Sequence, residues 1–383
     1  MPWSPQRFLA EGLRRGRDHK ALMEAIRQIS RMQRQRPVLP TLLTLGHLAC
    51  RTQISYEYLR DIIARNTGHP PYRSFRITKR SGGLRVISVP SPQLMKVQSW
   101  LTTHVLNKVQ PHPTSYAFSP GSSIADCARQ HAGATWLVKI DIADFFGSIT
   151  EIQVFRVFQM LGYNKLVSFE LARLCTILPI VSAKHKLKPW KTKFPRKPID
   201  YYSEQLIGRL PQGAPTSPML ANLAMRDIDE ELQHLADSLK LVYTRYSDDI
   251  TFSTKGKFSR TAASAVIKQT TAILKRRGLF PNRAKTAVIH PGARKIVLGL
   301  LVDQEQPRLS RKFRDRLRQH LYYLETRGIT AHLEARGFDS AGGLYRHLRG
   351  LIDYANMVDQ PYAQKQLLRL QALPWGSTLN ASS

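Results

Sequence analysis

Two adjacent aspartates lie inside an otherwise apolar, β-branched stretch of this 383-residue chain. The stretch LVYTRYSDDITFS, residues 241–253, has the composition of a β-strand hairpin and carries Asp248 and Asp249 near its middle. Like charges side by side repel each other, and the interior of a sheet is a costly place to remove them from water. The chain must therefore fold so that something offsets two neighbouring negative charges.

A third aspartate, Asp141, ends another apolar strand pattern, LVKIDIADFF. If the two strands are neighbours in one sheet, the three carboxylates converge on one point. Carboxylate oxygens suit a hard cation such as Mg²⁺, which also keeps waters and binds substrate phosphates. Two such ions, with Mn²⁺ as the alternative metal, would stabilise both the attacking and the leaving oxygen of an in-line phosphoryl transfer. On spacing alone, a polar hairpin tip without catalytic function is the competing interpretation.

The charge of the chain indicates a polyanionic partner. Lys and Arg number 58 against 27 Asp and Glu, which gives a formal net charge of +31. Nucleic acid is the favoured partner and an anionic membrane surface the second. No apolar stretch reaches transmembrane length, and a basic N-terminal helix beside a nucleic-acid groove is favoured over a membrane-bound one, so no membrane partner is expected. Three widely spaced cysteines (Cys50, Cys127, Cys175) predict buried free thiols and a cytoplasmic protein.

Helical and strand patterns along the chain predict an α+β fold. Residues 1–65 are predicted to be helical, with Ser55 as an N-cap, and a hairpin is expected around Ser81-Gly82-Gly83. The segment 181–209 is rich in Lys, Arg and Pro and is predicted to be a long basic loop. Further helices are predicted over 91–108, 151–174, 217–239, 258–277 and 310–370, and single strands over 136–142 and 295–303.

The motifs of the chain occur in a recognisable order. The sequence reads DIADFFGSI, then LPQGAPTSPMLANL, then YSDD, then GLFPNRAKT, then VLGLLV. This series, from about Lys79 to Ser310, resembles the reverse transcriptases, and most closely those of bacterial retron type. Two retron elements each lack one defining side chain: the N-A-x-x-H element reads Cys127 to His131 here, and the V-T-G element reads Val297-Leu298-Gly299. A relative among other defence-associated bacterial reverse transcriptases therefore stays open.

The resemblance implies a right-hand polymerase fold with fingers, palm and thumb and a small antiparallel palm sheet. It predicts an N-terminal helical extension over 1–65 and fingers over 66–140. The palm is expected over 141–300, including the basic loop 181–209. The helical thumb or RNA-binding region is expected over 301–383.

The resemblance also implies roles for individual residues of the catalytic site. Asp141 and Asp248 would bind both metal ions, Asp249 would complete the acidic site, and the Ile142 carbonyl would be a further metal ligand. Phe146 matches the position that stacks under the incoming sugar and leaves no room for a 2′-hydroxyl, so deoxynucleotides are expected. The other nucleotide-binding residues are expected to be the triphosphate clamps Lys79 and Arg85, the pocket-lining Gln212 and Gly213, and Lys285 near the active site.

Basic residues near the C-terminus resemble the polymerase thumb, which holds the template–primer duplex. Arg311, Arg314 and Arg318 fall on one helix face by their i, i+3, i+4 spacing, and Arg308 precedes them. A solvated basic face is the alternative. His131 is interpreted as a structural or an RNA-contacting histidine, and it is included among the predicted RNA-binding residues.

The resemblance thus implies an RNA-directed DNA polymerase of retron type that uses a structured noncoding RNA as template and primer and makes single-stranded DNA from deoxynucleotides. A function in antiphage defence, with an effector or toxin protein as partner, is expected from the resemblance alone. The alternatives are a group II intron or diversity-generating reverse transcriptase, and a non-catalytic RNA-binding scaffold. The segment 301–383 is expected to hold a thumb without an added endonuclease module, which disfavours the intron type.

Overall fold

The computed structural model describes residues 4–34, 36–65, 71–78, 82–178 and 207–375. The chain divides into two compact units, each assembled from three stretches of sequence. Unit 1 comprises 1–120, 141–233 and 270–282, and unit 2 comprises 121–140, 234–269 and 283–383. The predicted limits of fingers, palm and thumb stay predictions, and most of the predicted basic loop 181–209 lies outside the described residues.

Unit 1 begins with helices, as predicted. The Ser55 hydroxyl accepts a hydrogen bond from the Tyr58 backbone N–H at 3.2 Å, which confirms the predicted N-cap. The helices are α1 (Pro5–Arg14), α2 (His19–Arg34), α3 (Leu45–Thr52) and α4 (Tyr56–Ala64).

The predicted glycine hairpin is present in unit 1. Strands β1 (Tyr72–Thr78) and β2 (Leu84–Pro90) pair antiparallel. Gly82 and Gly83 both have positive φ, at 81° and 79°, a conformation that glycine adopts without the steric cost of a Cβ atom. Helix α5 (Pro92–His104) and a single 3₁₀ turn follow the hairpin.

Two predicted long helices are each interrupted. The segment 151–174 forms α8 (Glu151–Met160) and α9 (Lys165–Leu174), because the chain turns at Gly162 with φ 90°. Asn164 then caps α9 by accepting a hydrogen bond from the Val167 N–H at 2.8 Å. The segment 217–239 likewise forms two helices. The remaining helices that begin in unit 1 are α7 (Phe145–Ser148), α10 (Ser217–Ala224) and α11 (Arg226–Ser238).

A four-stranded sheet in the order β4-β5-β3-β6 belongs to unit 2, except for Asp141 at the end of β3. The Thr135 backbone N–H, just before β3, donates to the Thr254 carbonyl at the end of β5 at 2.9 Å, so these two neighbouring strands run antiparallel. The strands are β3 (Trp136–Asp141), β4 (Val242–Tyr246), β5 (Asp249–Thr254) and β6 (Ala287–Ile289), and the helices α6 (Ile124–Arg129) and α12 (Arg260–Arg276) flank them in sequence.

The single strand predicted over 295–303 is wrong. The chain reverses at Leu298 and Gly299, whose φ values are 50° and 88°, and Val297 pairs with Leu300 across this two-residue turn. Positive φ at both loop positions matches the twist of an antiparallel hairpin. The resulting small sheet consists of β7 (Ile296–Val297), β8 (Leu300–Leu301) and β9 (Arg308–Leu309).

The C-terminal part of unit 2 is helical, as predicted. It contains α13 (Arg311–Arg336), which is interrupted at Gly328, then α14 (Ala341–Asn356) and α15 (Gln360–Gln371). Their apolar faces share one core with β7, β8 and the start of β3; its buried residues include Leu137, Val297, Leu300, Leu317, Leu321, Leu344, Leu348, Ile352, Leu370 and Trp375. Among the described residues, no helix has both the length and the apolar character needed to cross a bilayer.

The prediction of buried thiols is confirmed for Cys127 and Cys175 and wrong for Cys50. Helix α3 buries Leu45, Leu48, Ala49 and Thr52, which form one face at helical spacing. Cys50 lies off that face and is exposed.

A buried charged network ties the N-terminal helices to the middle of unit 1. The fully buried Glu151 carboxylate accepts hydrogen bonds from Arg65, from Arg173 Nε at 3.0 Å and from the Gly208 N–H at 3.0 Å. Arg173 also donates to the Ile63 carbonyl at 3.0 Å. Burial lowers the pKa of Arg65 to about 10, so its guanidinium still carries a charge near neutral pH. Sequence reasoning missed this network, since its members are far apart along the chain.

Replacement of the central acid, Glu151→Gln, is expected to lower the free energy of unfolding by about 2 kcal/mol, since two buried guanidiniums lose a charged acceptor. Chemical denaturation followed by circular dichroism measures this change. The matched control is Glu24→Gln, because Glu24 forms an exposed ion pair with Arg27 at 3.4 Å and should contribute little. Equal losses in the two variants would contradict the prediction.

Candidate active site

The aspartate pair lies at the tip of the β4–β5 hairpin. Tyr246 pairs with Asp249, so Ser247 and Asp248 form a two-residue turn, and Ser247 has a positive φ of 58°. Arg245, on β4, is fully buried and donates to the Ser247 carbonyl at 3.1 Å. The buried Arg245 side chain thus supports the turn that contains Asp248, and sequence reasoning missed this residue.

Asp141 is the last residue of β3 and is only 6% exposed. Its carbonyl accepts a hydrogen bond from the Asn282 N–H at 2.7 Å, and the Ala143 N–H donates to the Phe280 carbonyl at 2.8 Å. The backbone around Asp141 is thus held by the segment 280–282. Because β3 and β5 are antiparallel neighbours, the end of β3 and the start of β5, which is Asp249, lie at the same edge of the sheet.

The chemistry of this donor set fits a hard cation. Within the described ranges, no group of three or more His, Cys, Asp or Glu side chains is arranged to hold a metal ion by itself. Mg²⁺ commonly binds through one or two carboxylates and completes its shell with water and substrate phosphates. Carboxylates from the ends of two neighbouring strands, with the buried Ile142 beside them, supply oxygen ligands of that kind.

His131 lies in the core of unit 2, and its interpretation as an RNA contact is wrong. The ring is 1% exposed; Nδ1 lies 2.7 Å from the Ser253 hydroxyl and Nε2 lies 2.7 Å from the Thr244 hydroxyl. Cys127 also contacts Thr244, at 3.4 Å. The element Cys127 to His131 therefore packs against β4 and β5, the strands that carry the aspartate pair. A ring buried in this way offers no edge to RNA, so His131 is a structural residue.

Burial, aided by the charge of Lys139, lowers the pKa of His131 to about 3, from an ordinary value near 6.5. The folded protein therefore keeps this ring neutral while the unfolded chain takes up a proton below pH 6.5. The stability contributed by the neutral ring is complete above pH 6.5 and is lost as the pH falls toward 3. Between pH 6.5 and 5, His131 alone should lower the free energy of unfolding by about 2 kcal/mol.

Urea unfolding at pH 7 and pH 5 measures this dependence, and His131→Gln is the test variant. The difference in unfolding free energy between the two pH values should shrink by about 2 kcal/mol in the variant. It should not vanish, because burial also lowers the pKa of His320, to about 4. A pH dependence identical to that of the wild type would contradict the buried neutral ring.

Two segments of unit 1 that carry predicted nucleotide-pocket residues touch each other. The Ser88 N–H on β2 donates to the Gln212 carbonyl at 2.7 Å, which ties the QGAP segment to the hairpin. Gly213 has φ 114°, and a Cβ atom there would lie 2.9 Å from Ile87, so the position requires glycine. Arg85 is exposed on β2, and its predicted partner Lys79 lies outside the described residues.

Two adjacent phenylalanines in α7 have different environments. Phe145 is 5% exposed and belongs to the core, whereas Phe146 is half-buried. The Phe146 ring packs against Phe145 at 5.5 Å and against Phe118 at 6.4 Å between ring centroids. Of the two rings, only Phe146 is therefore both accessible and held in place.

The predicted RNA-binding arginines at the start of α13 differ in how they are held. The side chain of Arg311 is 92% exposed, and that of Arg318 is 58% exposed and paired with Asp315. Arg314 instead bridges to α15: it donates to Asp359 at 2.7 Å and lies over the Tyr362 ring at 5.0 Å. Arg308 pairs with Asp303 at 3.2 Å. Lys285 is exposed in the turn before β6.

The sequence profile described as "Reverse transcriptase (RNA-dependent DNA polymerase)" matches residues 77–314. Among curated proteins, the chain is 31% identical over 323 residues to the Retron Ec86 reverse transcriptase of Escherichia coli, covering 84% of this chain and 86% of that protein. It is 30% identical to the Retron Ec73 reverse transcriptase of Escherichia coli, covering 81% and 90% of the two chains. It is 32% identical to the Retron Mx65 reverse transcriptase of Myxococcus xanthus, covering 77% and 63%.

The family match and the mixed helices and small antiparallel sheets confirm the predicted fold class, the α+β fold of right-hand polymerases. The matched segment includes Asp141, Asp248 and Asp249. The chain therefore belongs to the reverse transcriptase family and is an RNA-directed DNA polymerase of the bacterial retron type.

Proposed function

We propose that this enzyme copies a structured partner noncoding RNA, which also provides the primer, into single-stranded DNA by phosphoryl transfer at a site with two divalent ions. The observation that carries the proposal is the shared sheet edge at which β3 ends in Asp141 and β5 begins with Asp249, next to the Asp248 turn. Carboxylates at neighbouring strand ends, together with substrate phosphates, would hold the ions that stabilise the attacking and leaving oxygens.

Asp141 and Asp248, with Asp249 and the Ile142 carbonyl, would hold two Mg²⁺ ions. Bound there, the metal would lower the pKa of the attacking hydroxyl and neutralise charge on the leaving pyrophosphate. The protein itself contributes rigid placement of these ligands. The buried Arg245 supports the turn, and the backbone bond from Asn282 holds the end of β3.

Most of the groups that would position the nucleotide belong to unit 1. Phe146 would stack under the sugar and exclude a 2′-hydroxyl, and Gln212 and Gly213 would line the pocket, since a glycine lets the substrate approach the backbone closely. Arg85, with Lys79, would bind the triphosphate of a deoxynucleotide through charge-assisted hydrogen bonds, and Lys285 would lie near the active site.

The partner RNA is proposed from two observations. The relatives with 30% identity or more are named retron reverse transcriptases, and the chain carries a net charge of +31. The exposed Arg311 and Arg318, with Arg308 and Arg314 beside them, would contact the phosphates of this RNA. A cytoplasmic location and a defence function with an effector protein are part of the proposal and rest on the thiols and on the resemblance.

The proposal is tested by purifying the protein from its native host and sequencing the nucleic acid that accompanies it. A covalent RNA–DNA hybrid of one defined sequence is the expected result. Heterogeneous RNA without attached DNA would contradict it. Intron RNA, or complementary DNA spread over one mutagenised gene segment, would instead indicate the group II intron or the diversity-generating type.

A further inference from the structure

A groove of about 860 Å³ lies on unit 1, and none of the residues proposed for polymerisation lines it. Its walls are α8, the end of α10 with the start of α11, and the last turn of α12 with residues 278–280. Arg209 closes one side. We refer to this feature as the α8–α11 groove. Its volume falls within the range of about 300–1,000 Å³ that is usual for ligand sites.

The α8–α11 groove is positively charged. Four arginines and one acid, Asp227, line it, and Glu231 pairs with two of the arginines at 2.5 and 3.1 Å. Two positive charges therefore remain after both acids are counted. The four lining arginines are Arg156, Arg209, Arg276 and Arg277.

Three of these guanidiniums are held in place. Glu231 fixes both Arg276 and Arg277, and Arg209 donates to the Gly147 carbonyl at 2.9 Å. Arg156 is exposed on α8. A guanidinium held in a defined orientation loses little side-chain entropy when it binds a phosphate, and its planar fork matches phosphate oxygens.

Two large apolar side chains are exposed beside these arginines. Phe280 is 54% exposed and Met160 is 55% exposed, and both line the groove. The Phe280 backbone is fixed, because its carbonyl accepts a hydrogen bond from the Ala143 N–H at 2.8 Å. An accessible aromatic face next to arginines is the combination on which unpaired bases stack while their phosphates are neutralised.

We propose that the α8–α11 groove binds an unpaired segment of RNA, with a base stacked on Phe280 and phosphates on Arg156, Arg276 and Arg277. The choice of RNA over single-stranded DNA rests on the proposed function, since a polymerase of this class must hold its RNA before any DNA exists. The groove would thus be a binding site for the partner RNA in addition to the polymerisation site.

The test uses the full-length protein and a 12-nucleotide oligouridylate that carries one 4-thiouridine. Photocrosslinking followed by peptide mass spectrometry should identify peptides that contain Phe280 or Met160. Fluorescence anisotropy should show that Arg156→Glu/Phe280→Ala weakens oligouridylate binding about tenfold at 0.1 M salt. The slope of log K against log salt should fall by about 0.7 for each phosphate that the variant no longer neutralises.

The matched control is Arg260→Glu, an exposed arginine at the other end of α12, about 24 Å along the helix from Arg276. It should change oligouridylate affinity less than twofold. Thermal unfolding checks that the variants fold, and crosslinking of the unmodified protein remains decisive if they do not. Extension of poly(rA)–oligo(dT) by the wild type is measured separately. A failure of the proposed polymerase function can then be distinguished from a failure of RNA binding in the groove.

Three outcomes would overturn the proposal. Crosslinks that avoid 152–160 and 276–280 would place the strand elsewhere. Oligothymidylate that competes as well as oligouridylate would assign the groove to single-stranded DNA. Displacement of the crosslink by polyglutamate, with affinity and salt slope unchanged in Arg156→Glu/Phe280→Ala, would assign it to an acidic protein segment.

Discussion

The double variant Asp248→Asn/Asp249→Asn should lose DNA synthesis by about a thousandfold or more while it retains RNA binding. Two carboxylates that would hold the metal ions become neutral amides, and a loss of about 4 kcal/mol of transition-state stabilisation corresponds to that factor. RNA affinity should stay the same or rise, because two negative charges are removed from a site that faces phosphates. Extension of poly(rA)–oligo(dT) with dTTP measures the first quantity, and filter binding of the copurified RNA measures the second.

Asp353→Asn is the matched control for the removed charge. Asp353 forms an exposed ion pair with Arg349 at 2.9 Å on α14, so its replacement should leave DNA synthesis within twofold of the wild type. If the protein were a non-catalytic RNA-binding scaffold, the result would be different: neither variant would change DNA synthesis or RNA binding. If Asp248→Asn/Asp249→Asn still makes DNA, the proposal that these two carboxylates hold the catalytic metal ions is contradicted.

The sequence predicted those parts of the fold that depend on local patterns. The Ser55 cap, the glycine hairpin and the C-terminal helices were predictable because each depends on residues close together in the chain. The break at Gly162 has a local signal that was missed, since a glycine ends one helix and Asn164 caps the next, whereas the break at Met225 has no such signal. The turn at Leu298 was missed because Leu is a poor residue for positive φ.

Interactions between distant residues were not predictable in the same way. Glu151 binds arginines that are 86 and 22 residues away, and its contact with Arg65 leaves no periodic signal. The choice between a structural and an RNA-contacting role for His131 stayed open because burial of a histidine depends on the packing around it, here on Thr244 and Ser253. Arg245 could have been found, because it is a charged residue inside an otherwise uncharged strand pattern, VYTRY, whose three central residues are buried.

Phe146→Val should lower the preference for deoxynucleotides over ribonucleotides by about a hundredfold. In the proposed function, the ring of Phe146 occupies the space that a 2′-hydroxyl would need, and a smaller side chain would leave that space free. The centroid of the Phe146 ring lies 5.5 Å from that of Phe145 and 6.4 Å from that of Phe118. The ratio of kcat/KM for dTTP to that for UTP, on the same poly(rA)–oligo(dT) substrate, measures the preference.

Phe145→Val separates this steric role from a general packing defect. Phe145 is adjacent in sequence but 5% exposed, so its truncation should lower thermal stability through the cavity it leaves. It should leave the ratio for dTTP and UTP near the wild-type value, because its ring does not reach the accessible side of α7. Two results would contradict the steric role: an equal loss of preference in both variants, or a lower dTTP rate in Phe146→Val without more UTP incorporation. In either case the Phe146 ring acts through packing, and another residue must exclude the 2′-hydroxyl.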